Sequence, residues 1–467
     1  MSRKKLFILL VLVRLPYLLM EYPGCIYPDT AGSIEQFFGY SDFSAQLCTT
    51  DPTIVLTNHH PVIYTLLFGG VIALGNLIGS QGLAVFLYLT LQTLLHAWVL
   101  SNLFILLCPT QASSSKRLWW LCLAFTALFP VYGFWCTMML KDAVFSIAFL
   151  SLTLYLLEIV FSQGDKLKES GFLIRFMFIT FLFMLSKNQC IYIVWLLIPA
   201  VLLFRQKGKW RMTGSLLVPA LAYMLFLHLL LPALHVAPVG RQEFHGFMFQ
   251  QTALYLKEHP ADVRAEERKA IAALLPYERI AQLYDPDCQD PVKFSYNVAA
   301  SDEDFSRYRT AHLHMMLRHP DIALKSLWQG CNAFFYPSAR FPIFFPLLAT
   351  DAPPRPDFYD LHPLFHPQPS GMKTALSLPV PLRWLFDVGF YIPLAFIGCV
   401  ILLFKGKILP FLPVLISIGI LVLSPENGCF RYAMPIIWLL PFLPLFIVLP
   451  PDNKIPRHAP LRHHTGL

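Results

Sequence analysis

Ten long apolar stretches separated by short polar turns dominate the pattern of this chain: Leu6–Tyr22, Gly82–Leu107, Leu118–Leu140, Ala143–Phe161, Phe172–Ser186, Ile191–Phe204, Met212–Leu231, Phe386–Phe404, Ile408–Ser424 and Ala433–Leu449. Each predicts a helix crossing a hydrocarbon layer roughly 30 Å thick. The fold class expected is therefore an all-α multipass membrane protein with about ten spans. An eleventh apolar segment, Val62–Ile78, does not fit the alternation, because crossing there would put Lys116-Arg117 outside and reverse every later loop. Its opening Pro61 and its Gly69-Gly70, Gly75 and Gly79 predict a re-entrant or juxtamembrane helix that dips in from the outer surface beside protein. An eleventh span is the alternative.

Two polar segments are too long for turns, and they divide the chain: an N-terminal membrane module (1–231) with an outer loop at 23–61, a second outer segment at 232–381, a C-terminal membrane module (382–450) and a tail (451–467). In the second segment, Leu254–Leu275 predicts an amphipathic helix with Pro260-Ala261-Asp262 as its start signal, and Arg307–Leu327 a helical region interrupted at Pro320. Beyond it, Phe334-Phe335-Tyr336-Pro337 through His366-Pro367-Gln368-Pro369 predicts little regular structure. A small, mostly helical outer domain on the bundle is expected.

Composition agrees with the pattern: 56% hydrophobic and 14% charged residues at a mean hydropathy of +0.55 exceed what a water-soluble core can hide. The formal charge of +8 collects in short loops, at Arg3-Lys4-Lys5, Lys116-Arg117, Lys166 with Lys168, Arg205–Arg211 and Lys405 with Lys407. Positive loops stay inside. With Lys454, Arg457 and Arg462 in the tail, this places both ends in the cytoplasm of a plasma-membrane protein and requires no nucleic-acid partner. The basic start and apolar run resemble a signal peptide, but no small-residue cleavage site follows Leu19-Met20-Glu21-Tyr22, so the run is read as the first span. Ten cysteines show no metal-binding spacing; Cys25 and Cys48 share the first outer loop, where a disulfide is chemically permitted.

The candidate chemistry sits at outer span ends. Asp29 follows the first span in a loop that closes with Asn58-His59-His60-Pro61, and a carboxylate with two imidazoles at the membrane face suits a lipid-borne substrate. Pro28-Asp29-Thr30 is equally a good helix start. Lys141-Asp142 opens the fourth span, Lys187-Asn188-Gln189 turns between the fifth and sixth, and Glu426-Asn427 with Arg431-Tyr432 lies between the ninth and tenth. Arg14, inside the first span, either snorkels or pairs with an anion. Arginine suits phosphate because its fork donates two parallel hydrogen bonds.

The arginine-bearing first span, the early acidic residue Asp29, the His60-Pro61 start of a membrane-dipping helix and Asp142 at the outer start of a later span together resemble the GT-C superfamily of integral-membrane glycosyltransferases. Gln250-Gln251, Asp290-Pro291-Val292-Lys293 and the helix ending His319-Pro320 look like an uncharacterised bacterial family assigned to that superfamily. The resemblance implies a polyprenyl-phosphate-linked sugar as donor, hexosyl or pentosyl, and an envelope glycan or lipid as acceptor. It implies Asp29 as the catalytic base or acceptor-binding acid, since an inverting transfer needs a carboxylate to take the acceptor proton. It further implies substrate binding by Arg14, His59, His60, Lys141, Asp142, Lys187, Asn188, Glu426, Arg431 and Tyr432. In related transferases a second proline stands where this chain has Val62. On this reading Arg14, Lys141, Lys187 and Arg431 converge around Asp29 to hold the leaving phosphate.

No Walker-type or dinucleotide-binding motif occurs, which argues against a nucleotide-driven pump or a nucleotide-sugar enzyme. The first loop has no Asp-x-Asp pair, and Asp302-Glu303-Asp304 in the second reads as a solvated acidic turn, so no cofactor is expected and metal dependence is unsupported. Two alternatives stay open: a polysaccharide polymerase or ligase using a diphosphate-linked donor, and a transporter or flippase of a lipid-linked or anionic solute.

Overall fold

The computed structural model describes residues 1–109, 113–203, 207–337 and 380–449. The predicted irregular stretch is described only over 334–337, where the 3-10 turn Asn332–Phe334 ends; the rest of it, through His366-Pro367-Gln368-Pro369, the tail and Arg205 lie outside the described residues. Within them the chain is almost wholly helical; the one strand pairing beyond isolated bridges is a two-residue parallel ladder of Cys25–Ile26 against Met138–Met139.

Among the described residues, four helices are long and apolar enough to cross a membrane: Gln81–Leu106, Lys141–Phe161, Lys209–Ala233 and Phe430–Val448. Ser114–Leu128 and Pro130–Cys136, bent by 48° at their junction, make a fifth if taken as one span. The bend follows from Pro130, which cannot donate to the preceding turn. Ser170–Ser186, Cys190–Leu203, Val388–Phe404 and Leu409–Leu421 match four further predicted stretches but are shorter apolar helices. At 1.5 Å per residue the 14 residues of Cys190–Leu203 reach only about 21 Å. The first predicted span is not one helix: it breaks at Arg14 into Arg3–Leu12 and Leu15–Met20, with Pro16 in the first turn of the second piece. Val62–Leu77 is a helix of 16 residues.

The bundle shares one apolar core, in which Trp438 stacks on Tyr132 with centroids 3.9 Å apart. Its outside is apolar too. On Gln81–Leu106, Leu87, Leu91, Leu95 and Trp98 are 52%, 56%, 49% and 47% exposed along one helical face, a stripe suited to lipid rather than water.

A second core belongs to the second long polar segment, the one expected to lie outside, where Phe249, Tyr255, Ile271, Tyr308, Met315 and Ile322 pack together. The predicted helix over Leu254–Leu275 is in fact two: Gln242–Glu258 ends at His259-Pro260, and Ala265–Leu274 follows a short 3-10 turn. The pre-proline residue disfavours the helical conformation, so Pro260 terminates a helix rather than starting the one expected. The break at Pro320 occurs where predicted, between Asp302–Arg318 and Pro320–Cys331. Asp302-Glu303-Asp304 is solvated as expected, Asp302 and Glu303 being exposed, and it forms a first helical turn closed by a capping box in which Asp304 N–H donates to Ser301 Oγ (3.1 Å) and Ser301 N–H to Asp304 Oδ2 (2.9 Å).

The buried Asn427 side chain ties this domain to the bundle. It donates to Asp287 Oδ1 (2.9 Å), Gln329 O (2.8 Å) and Asn332 Oδ1 (3.0 Å) and accepts from Ala333 N–H (2.9 Å). The permitted Cys25–Cys48 disulfide is not formed: Cys25 lies in the ladder, whereas Cys48 ends a separate short helix as a free thiol.

Candidate functional site

Local rules bring Asp29 to the head of the fourth predicted span. Tyr27 is extended, Pro28 supplies the preset φ of a first helical position, and Asp29 sits in the first turn of Pro28–Phe37, where the helix dipole favours a carboxylate. Thr30 Oγ1 donates to Met139 O at 2.6 Å, and the Ile26–Met139 register draws the loop to the residues just before Lys141. On the neighbouring loop, Asn58 Oδ1 accepts from Val62 N–H (3.0 Å) and starts the Val62–Leu77 helix. Asn188 Nδ2 donates to the carbonyls of Asn58 (2.9 Å) and His59 (3.2 Å), holding the His59-His60 backbone. Tyr64 donates its hydroxyl proton between Ser186 O (2.9 Å) and Lys141 O (3.2 Å), pinning three elements at one level.

Four of the predicted residues meet there. Asp29 Oδ2 accepts from Arg431 Nη1 at 2.6 Å and from Lys141 Nζ at 2.8 Å. Lys141 Nζ also lies 2.5 Å from His60 Nδ1. An ammonium has only donors, so His60 Nδ1 must accept; the ring is then neutral with its proton on Nε2, which faces Asp29 Oδ1 at 3.9 Å. Burial would raise the Asp29 carboxyl, but Lys141, Arg431 and His60 hold it well below the usual carboxylate range. Burial, reinforced by Lys141, pushes His60 well below the ordinary histidine range. The Asp29 side chain keeps 20% exposure, so the cluster has an open edge.

Arg431 is packed between aromatic faces, 5.0 Å from the Tyr27 centroid and 5.1 Å from that of Tyr432, and its Nη2 donates to Tyr432 Oη at 3.3 Å. Glu426 stands farther off, at 3.9 Å. Tyr432 joins this cluster to a second pair: Lys187 lies 4.7 Å from the Tyr432 ring centroid and donates to Asp142 Oδ1 at 2.6 Å. Asp142 is fully buried and its Oδ2 has no hydrogen-bond partner among the described residues. Lys187 is thus matched to Asp142 rather than presented to Asp29.

His59 stands at the rim against the outer domain, its Nδ1 3.9 Å from Glu243, which Lys293 approaches at 3.1 Å. Burial lowers the His59 pKa while Glu243 opposes the shift. Arg14 does not join the outer cluster expected of it. It is 2% exposed, donates to Leu10 O at 2.7 Å and lies 5.7 Å from the Trp438 centroid, with Nε and Nη2 unpartnered among the described residues. The nearby cavity of about 10 Å³ is lined by Gln92, His96, Cys136 and Trp438 and has room for roughly one water, not a lipid phosphate.

Sequence reasoning passed over Tyr27, Asn58, Tyr64 and Glu243 as functional positions. Asn58 stands inside a quoted motif and Tyr27 just before one, but only the fold reveals that Tyr27 covers Arg431 and that Asn58 accepts from the first N–H of a helix. Chemically, the site is a carboxylate clamped between two cations. An incoming anion would compete with Asp29 for Lys141 and Arg431, and the carboxylate so released would regain basicity.

The model of a family of unknown function, DUF6020, matches residues 44–459, a stretch that includes every predicted site residue except Arg14 and Asp29. No curated protein and no solved structure matches the chain.

Proposed function

Because the chain belongs to the DUF6020 family, whose function is unknown, we propose its activity from its own residues: a glycosyltransferase that moves a sugar from a polyprenyl-phosphate carrier to a cell-envelope acceptor on the extracytoplasmic face. The observation that carries the reading is the exposed-edged cluster in which one carboxylate, Asp29, is shared by Lys141 and Arg431 beside a neutral His60. In the proposed step the donor phosphate takes over the two cations. The acceptor oxygen forms its bond to the anomeric carbon as its proton passes to Asp29. The bond from the anomeric carbon to the phosphate oxygen breaks, and its electron pair leaves on the phosphate, where Lys141 and Arg431 stabilise the charge. His60 Nε2–H would donate to a sugar hydroxyl or to phosphate.

This reading sets the chain in the plasma membrane with ten crossings, Val62–Leu77 as a re-entrant helix, the Arg3-Lys4-Lys5 end inside, and both polar segments outside. The outer domain, joined to the cluster through Glu243 beside His59 and the Asn427 turn before Arg431, would shape the acceptor site.

Envelope glycans of a deletion strain, complemented with wild type or with Asp29→Asn, provide the test by mass-spectrometric sugar analysis. The expected result is loss of one glycan in the deletion, restored by wild type and not by normally expressed Asp29→Asn. Full restoration by Asp29→Asn would overturn the mechanism.

A further inference from the structure

Two histidines in the outer domain occupy equivalent backbone positions. His259 follows the last turn of Gln242–Glu258 and His319 the last turn of Asp302–Arg318; each precedes a proline, and both adopt φ −130°, with ψ 51° and 73°. The proline stops each helix at the same point, leaving an imidazole at the negative end of the helix dipole, where a cation is favoured. The packing of the domain then lays the two rings face to face, 4.0 Å apart and 22° from parallel.

Carboxylates surround this stack, and they are not equivalent. Asp262 lies 3.7 Å from His319 Nε2 but is held by Arg318 Nε at 2.9 Å and by the Tyr255 hydroxyl. The same arginine also engages both Glu267 carboxylate oxygens at 2.7 Å. Asp321, 3.9 Å from His319 Nδ1, is 71% exposed and can swing toward the rings. One ligand atom each from His259, His319 and Asp321 can be chosen so that all three lie within 4.8 Å of one another. Bonds of about 2.0–2.1 Å in a tetrahedral site place ligand atoms roughly 3.4 Å apart, a closure that side-chain rotation of this order provides.

We propose that His259, His319 and Asp321 form a divalent transition-metal site that clamps the two helix ends of the outer domain together, with water completing the coordination. Imidazole lone pairs lie in the ring planes, so on metal binding the two rings turn out of their stack until one ion takes a lone pair from each. A two-nitrogen, one-carboxylate donor set suits zinc or a neighbouring transition ion rather than calcium or magnesium, which prefer all-oxygen shells. Its ligands are shared with no part of the Asp29 cluster, and the site stands or falls independently of the transferase reading.

The test uses the full chain without a polyhistidine tag, purified in detergent and titrated with Zn²⁺ and with Co²⁺. One equivalent of metal should bind, raise the unfolding temperature as a ligand selective for the folded state does, and give the visible absorption of low-symmetry Co²⁺. His259→Ala and His319→Ala should abolish both signals. Asp321→Asn, at an exposed position, should leave the metal-free unfolding temperature unchanged and weaken binding by at least about tenfold, the loss that even an outer-shell partner causes. The Asp321→Asn result decides the question if a histidine variant misfolds. Absence of stoichiometric binding to the wild-type chain, or equal binding by Asp321→Asn, would overturn the proposal; the latter would assign the metal to other groups such as His463 and His464.

Discussion

Asp29 and Lys187 are both ion-paired, yet they differ in what a ligand can do with them. Asp29 retains an exposed edge and shares two cations, whereas Lys187 is matched to a fully buried Asp142 between the rings of Phe145 and Tyr432. Removing one partner of a buried pair strands the other charge, so Lys187→Met should destabilise the folded chain by about 3–5 kcal/mol. Lys187→Met combined with Asp142→Asn should recover most of that loss in detergent unfolding measurements. The Asp29 cluster carries a pH signature instead. His60 has a depressed folded pKa, so the unfolded chain takes up a proton that the folded chain refuses; stability contributed by the neutral ring is present above about pH 6.5 and declines as pH falls below it. Asp29, also depressed, contributes stability above its unfolded pKa of about 3.9, which is lost as pH falls toward the lower folded value. Unfolding temperature against pH should therefore fall as pH drops through the histidine range and again through the carboxylate range, and His60→Gln should shrink the upper fall, to which the depressed His59 also contributes, without abolishing it. Of the residues involved, the sequence made Asp29, His60, Lys141 and Arg431 visible because charged groups beside apolar runs are conspicuous. It could not show that Lys187 pairs with Asp142, because both sit at span ends and nothing local distinguishes one carboxylate from another.

At the scale of elements, the helix that carries Asp29 is positioned by a close approach. Pro28–Phe37 packs on Val62–Leu77, and at Gly69 a Cβ would lie 2.0 Å from Phe37 Cγ. Gly69→Ala must push Phe37 aside, since both its Cβ and its Cγ stand in the way, and an overpacking cost of about 1–3 kcal/mol is expected in detergent unfolding measurements. Because the displaced helix bears Asp29 in its first turn, the same variant should lower glycan restoration more than a destabilised helix elsewhere would. Glycines in Val62–Ile78 read in the sequence as marks of a helix beside protein, but the partner they admit was not legible. The first span shows the converse: its apolar run implies one helix, and the combination of Arg14 with Pro16 splits it.

Over the whole molecule, the two largest cores among the described residues, one in the bundle and one in the second polar segment, belong to parts joined by hydrogen bonds at the Asn427 turn and by the Thr57–Ala237 bridge. The proposed orientation puts these joints on one side of the membrane. In a chain whose native accessible cysteines are replaced, Lys269→Cys in the outer domain should react with a membrane-impermeant thiol reagent in intact cells. Lys168→Cys should react only after the membrane is opened; both positions are exposed, with side-chain exposures of 76% and 69%. Reaction of Lys168→Cys in intact cells would reverse the topology and remove the extracytoplasmic assignment.

Helicity, the apolar stretches, the helical polar segment between them and the charged positions at their ends were legible in the sequence alone, because they depend on local hydropathy, on proline and on where charges interrupt apolar runs. Pairing was decided by tertiary structure. Asp29 meets Arg431 across 402 positions of chain and His259 stacks on His319 through the meeting of two helix ends, while Arg14 is drawn into the bundle beside Trp438. Such contacts depend on how helices pack in three dimensions, which spacing and composition along the chain do not reveal.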